Sequence, residues 1–146
     1  MVRRILHPSD FSSASRAAFT KAIELARENR GELLLLHVRG VVAPIMGDGY
    51  VSPQAYESLE RASREAARKQ LARLVGQARK RGVRAKALTT QGVAHDEIVR
   101  AARRARVDMI VIGTHGRTGI SRFFLGSVAS RVVAQAACPV LTVRGR

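Results

Sequence analysis

The residues of this chain with the clearest chemistry lie within Val107 to Ala129, VDMIVIGTHGRTGISRFFLGSVA. Gly113 and Gly116 follow a short apolar run, Met109-Ile110-Val111-Ile112, and Gly126-Ser127 precede a helical pattern that starts at Val128. An apolar run of this length reads as a buried strand. A strand, a glycine turn, a loop and a helix start are the parts of a phosphate site. Glycine lets the backbone approach an anion, and a helix N-terminus offers free N–H groups and the positive end of its dipole. Gly126-Ser127 is thus a good anion cap, and Arg117 and Arg122 in the intervening loop can neutralise phosphate charge.

The rest of the chain supplies the elements that must position these groups. Val2 to Leu6 reads as strand β1, ended by Pro8-Ser9-Asp10. Ser12 or Ser13 can cap helix α1, which runs to about Glu28 with Ala18, Phe19, Ala22, Ile23, Leu25 and Ala26 inward. Leu33 to Val38 is a continuous apolar run, β2, expected to be covered on both faces. Val41 to Pro53, with its prolines and glycines, reads as a mobile loop.

Helix α2 follows from about Gln54 to Arg81, with Leu59, Ala62, Ala66, Leu71, Leu74, Val75 and Ala78 on its apolar side. Val83 to Thr90 alternates as a half-covered strand, β3. Gly92 leads into α3, with Ile98, Val99, Ala101 and Ala102 inward. The Met109–Ile112 run is β4. Helix α4 is expected to turn Val128, Val132, Val133 and Ala136 inward, and Val140 to Val143 is β5.

This alternation predicts one α/β domain over residues 1–146, a doubly wound five-stranded parallel sheet with helices on both faces, Rossmann-like. Right-handed crossovers give the strand order 3-2-1-4-5. That order sets β1 beside β4 at the switch point, where ligands bind off the carboxyl ends of the strands. Pro8-Ser9-Asp10, Val38 and the Gly113 loop would meet there.

Composition narrows the class. No apolar run approaches the roughly 20 residues of a membrane helix, and there is no signal-peptide core. With Cys138 as the single cysteine, these features point to a cytoplasmic protein without disulfides. The 26 basic residues against 11 acidic ones, formally +15, will attract polyanions such as nucleic acid or acidic proteins. Aromatic residues make up only 4% of the chain, so base-stacking platforms are not evident. His7, His37 and His115 fall near strand ends, but their spacing matches no compact metal motif.

The P-loop pattern G-x-x-x-x-G-K-[ST] is absent, and the first βα turn, PSDFSS, holds no dinucleotide fingerprint. What is present is G-x2-G-x9-G-S at Gly113, Gly116, Gly126 and Ser127. With HPSDFSSAS after β1, LLLLHV, IVIGTHGRTGISRFFLGSVASRVV and the closing CPVLTV, the whole chain resembles the universal stress protein family in its nucleotide-binding branch.

The resemblance implies ATP, or ADP or AMP, in the crevice, with magnesium as a possible companion. Gly113 and Gly116 would approach ribose and phosphates. Gly126 and Ser127 would hold the phosphates at the start of α4, and Val128 belongs to the expected set. Pro8, Ser9 and Asp10 would lie beside the nucleotide, the backbone of Val38 would read adenine, and Ile112, His115 and Arg117 complete the expected set. Asp10 would repel phosphate directly. A bond to a ribose hydroxyl, a bond to the adenine amine and action through a divalent cation all stay open for it. The resemblance also implies a homodimer through β5, an exposed edge with Val140, Leu141 and Val143 that invites pairing.

Three functions follow. One is a homodimeric, nucleotide-binding stress-response regulator with slow ATP hydrolysis at most, since the crevice offers no convincing catalytic base. Another is a basic module for nucleic acid or acidic partners that does not use nucleotide. The third keeps the fold for protein interaction alone, against which the intact glycine motif argues.

Overall fold

A computed structural model of the chain describes residues 1–41, 51–115 and 125–145. Five strands form one parallel sheet in the order β3-β2-β1-β4-β5: β1 Arg4–Pro8, β2 Glu32–Arg39, β3 Arg84–Gln91, β4 Met109–Gly113 and β5 Val140–Val143. The helices are α1 Arg16–Glu28, α2 Pro53–Lys80, α3 Ala94–Arg104 and α4 Ser127–Gln135. Most of the loop expected over Val41 to Pro53 lies outside the described residues.

The strand sequences explain the layering. Side chains alternate across a sheet, so Leu33 and Leu35 join Ile5 and Val111 on the face covered by α1 and α2. Leu34 and Leu36 join Leu6, Ile110 and Ile112 on the face covered by α3 and α4. All four β2 leucines are buried because both faces are covered, and each contributes about 1.5–3 kcal/mol by leaving water. Strand β3, at the other edge of the sheet, buries only Ala85 fully and keeps the alternation of a half-covered strand.

Three expectations are corrected. Helix α1 does not start directly at Ser12 or Ser13. Ser12 caps a short 3-10 turn, Ser13–Ser15, by accepting from the Ser15 N–H, and the α-helix begins at Arg16. Helix α2 buries side chains fully only from Ala67 onward; Leu59 is 63% exposed, and Ala62 and Ala66 are exposed too. Its 28 residues span about 42 Å, whereas the 8 residues of β2 span about 26 Å, so the first turns overhang the sheet. In α4 the buried residues are Ala129 and Val132, while Val128 and Val133 are 36% and 47% exposed. The inward face follows i, i+3, i+7 through Ala129, Val132 and Ala136, and Val133 lies about 100° further round.

Three of the four helices end in the same way. After α1 the Gly31 N–H donates to the Ala26 carbonyl and Arg30 N–H to Arg27. After α2 Val83 donates to Ala78 and Gly82 to Arg79; after α3 Val107 donates to Ala102 and Arg106 to Arg103. Each is a Schellman stop, with its turning residue in the left-handed region: Arg30 at φ 52°, Gly82 at φ 81° and Arg106 at φ 51°.

Candidate nucleotide site

A cleft of about 350 Å³ opens at the carboxyl end of the sheet, where β1 and β4 part. This volume falls in the usual range for small-molecule sites, roughly 300–1,000 Å³. Its position is the switch point of the doubly wound sheet. Leu36 and Val38 enter it from β2, Ile112 from β4 and Ile98 from α3, giving an apolar wall. The opposite side is the first turn of α4, where Gly126, Ser127 and Val128 line the opening. The first N–H groups of a helix have no intrahelical partner, and Gly126 has no side chain with which to cap them.

The α4 start is fixed by backbone contact. The Gly126 N–H donates to the Thr114 carbonyl at 2.6 Å, and Thr114 N–H donates to the Val143 carbonyl at 3.0 Å. A Cβ on Gly126 would stand 2.7 Å from that same Thr114 oxygen. Glycine is required here by close approach, since φ is −57° and open to any residue. Gly113 differs: it ends β4, and an added Cβ would meet its nearest atom, the Ala14 carbonyl oxygen, at 3.5 Å, ordinary contact.

The first βα turn is held by its own side chains. Ser9 continues β1 by donating its N–H to the Leu36 carbonyl at 2.8 Å, and its hydroxyl accepts from Phe11 N–H at 3.1 Å. Asp10 Oδ1 accepts from the Ser12 N–H at 2.9 Å and the Ser12 hydroxyl at 2.5 Å. This is an Asx turn, which orders the loop along the cleft. Phe11 sits at φ 64° and stacks on the His37 ring with centroids 4.3 Å apart.

The three histidines expected near the strand ends take separate roles. His37 Nδ1–H donates to the Ser9 carbonyl at 2.8 Å. His115 Nδ1 pairs with the Thr114 hydroxyl at 2.9 Å. His7 is fully buried beside Phe19 and outside the cleft lining; its Nδ1–H donates to the Val111 carbonyl at 2.9 Å. Burial lowers the His7 pKa to about 4, against the partial support of Val111 and Asp10. Its Nε2 has no hydrogen-bond partner among the described residues. Cys138 is half-buried, and burial pushes its thiol up.

Ten residues singled out from sequence line this one cleft: Pro8, Ser9, Asp10 and Val38, then Ile112, Gly113 and His115, then Gly126, Ser127 and Val128. Gly116, Arg117 and Arg122 lie outside the described residues. The sequence reading missed Ser15, Leu36, Ala94, Ile98, Thr114 and Ala129, and left His37 out of the expected set. Leu36 was within reach, since it shares a strand face with Val38. Ala94 and Ile98 carried no local signal; they reach the cleft because α3 packs against β2 and α4.

The model of the universal stress protein family matches residues 1–144. The chain belongs to that family. This universal stress protein is 34% identical over 144 residues to universal stress protein MJ0531 of Methanocaldococcus jannaschii, covering 99% of this chain and 83% of that protein. Its fold matches the solved structure of hypothetical protein MJ0577 of the same organism with a TM-score of 0.82 at 27% identity, covering 100% of this chain and 98% of that one. It also shares the fold of an Arabidopsis thaliana universal stress protein family protein with AMP bound, at TM-score 0.71 and 24% identity, covering 99% and 92% of the two chains. Further universal stress proteins of this fold are in complex with dAMP and cAMP.

Proposed function

We propose that this universal stress protein binds an adenine nucleotide, ATP in the first place and ADP or AMP as alternatives, in the switch-point cleft. The observation that carries the reading is the pairing of an apolar wall from β2, β4 and α3 with the open helix start at Gly126-Ser127. The wall suits a flat apolar base, and the helix start suits phosphate oxygens. The AMP, dAMP and cAMP complexes of proteins sharing this fold support an adenine nucleotide as the ligand.

In this reading Ser127 and Val128 give N–H groups to the phosphates, and Gly113 and His115 border the ribose and phosphate path. Gly116 and Arg117 belong to the same set. The backbone at Val38 meets adenine, with Pro8 and Ser9 beside it. Asp10 would bond a ribose hydroxyl or the adenine amine, or act through a magnesium ion. Magnesium there would supply charge neutralisation.

The protein then acts as a cytoplasmic stress-response regulator whose state follows its bound nucleotide. It works as a homodimer joined along Val140–Val143. Hydrolysis is slow at most, below about 1 per second. The test is calorimetric titration of ATP with magnesium, with ADP, AMP and GTP as controls, into protein stripped of co-purified ligand. Micromolar ATP binding, lost in folded Ser127→Asp, supports the reading. No heat with any adenine nucleotide overturns it.

A further inference from the structure

The parallel sheet gathers every strand start, and the ends of α1, α2 and α3, at the end of the molecule opposite the cleft. That end is strongly basic. Arg3 and Arg4 open β1 and Arg84 opens β3, with Arg4, Glu32 and Arg84 in one cross-strand row. Arg30, Arg81 and Arg106 follow the three helices, and all six arginines are exposed. The last turns of α1, α2 and α3 add further basic residues. The opposing carboxylates are partly engaged: Glu32 pairs with Arg4 and Lys86, and Asp108 accepts the N–H groups of Arg3 and Arg4. Glu28 ends α1 on this side, and Glu24, paired with Lys21, lies close enough to Arg27 and Arg81 to feel their charge.

Basic residues in a last helical turn complement the helix dipole and need no further reason. Arg30 and Arg106 do. Both occupy the left-handed turning position of a Schellman stop, at φ 52° and 51°, where glycine is favoured because it has no Cβ to strain. The third stop, built on the same hydrogen bonds, uses Gly82. Neither Arg30 nor Arg106 forms an ion pair among the described residues. Two arginines therefore hold strained positions that local structure would fill with glycine, and both present their charge on the same basic end.

We propose that this end of the sheet is a binding surface for the phosphate backbone of duplex nucleic acid. Arginine suits phosphate through its paired N–H donors. The described aromatic side chains, Phe11, Phe19 and Tyr56, are on other parts of the molecule, so among the described residues the surface has no platform for unstacked bases and favours a duplex over a single strand. Binding is independent of base sequence, because arginines spread over strand starts and helix ends meet backbone charge and not base edges.

The experiment is fluorescence anisotropy of a labelled random-sequence DNA duplex across a salt series, with full-length wild type and the Arg30→Gly, Arg106→Gly double variant. The double variant should raise Tm, since glycine relieves both turns. It should also weaken binding roughly tenfold or more and reduce the slope of log affinity against log salt by about 2, one released counterion per lost phosphate contact. Arg16→Gln, Arg144→Gln removes the same charge from the cleft end and should leave most of the affinity and slope. ATP titration of the double variant should match wild type, which separates this surface from the nucleotide site.

A raised Tm with unchanged duplex binding overturns the proposal, as does equal weakening by the control pair. Tighter binding to the single strand, or to phosphatidylglycerol vesicles with the same dependence on Arg30 and Arg106, also overturns the duplex assignment.

Discussion

Ser127→Asp separates ligand binding from folding because its two effects have opposite signs. Ser127 is the first residue of α4, is exposed, and lines the cleft. No acidic residue lies in the first turn of α4. A carboxylate there faces the positive end of the helix dipole and should stabilise the protein by about 0.3–1 kcal/mol. That corresponds to a Tm rise of roughly 1–4 °C for a chain of this size.

The same carboxylate would stand about 6 Å from an anion held on the helix N–H groups. With an effective dielectric of about 40, between the surface and water values, one charge pair at that distance costs about 1.4 kcal/mol. Two phosphate charges in range cost about 3 kcal/mol, or roughly a hundredfold in Kd. Calorimetry with ATP and magnesium gives Kd, and differential scanning calorimetry gives Tm. Weaker ATP binding together with an unchanged or higher Tm is the expected pair. ATP affinity within about threefold of wild type, in a variant of wild-type stability, would refute the phosphate position.

Other expectations follow from the same geometry. Gly126→Ala forces a Cβ to 2.7 Å from the Thr114 oxygen, so thermal melts should show a loss of about 1–3 kcal/mol, whereas Gly113→Ala should melt close to wild type. The folded His7 pKa of about 4 lies below the ordinary histidine value of 6.5, so the unfolded chain binds more protons between those values and stability falls as pH drops from 6.5 toward 4. Denaturant unfolding should lose about 2 kcal/mol from this group between pH 7 and pH 5. His7→Gln should remove that component, and identical slopes in the two proteins would count against it.

Along β5 the carbonyls of Val143 and of Pro139, just before the strand, accept from Thr114, just after β4, and from Ile110 of β4. By strand alternation the Thr142 N–H therefore points to the open edge. Thr142→Pro should leave the sheet intact while converting the proposed dimer to monomer in sedimentation runs; a monomeric wild type, or a dimeric variant, defeats the β5 pairing.

The order of elements was legible because its signals are local. Four consecutive leucines in β2, glycines at helix ends and apolar runs before them are set by the periods of strand and helix. Once the elements alternate, handedness restricts the sheet to very few orders, and β1 beside β4 follows. The glycine spacing from Gly113 to Gly126 likewise points to the cleft from sequence alone.

Other features depended on distance in space. Gly126 must be glycine because Thr114, twelve residues earlier, folds back against it. Ile98 reaches the cleft because a neighbouring helix brings it there. Burial of His7 needs α1 to cover β1 with Phe19, and a sequence carries no measure of that covering. The +15 charge could be counted from composition, but which arginines share one end could not. That required a parallel sheet to align the strand starts, and dihedral angles to show that two arginines hold places suited to glycine. Local sequence fixes what each segment prefers to be; packing between distant segments fixes which of those segments share a surface.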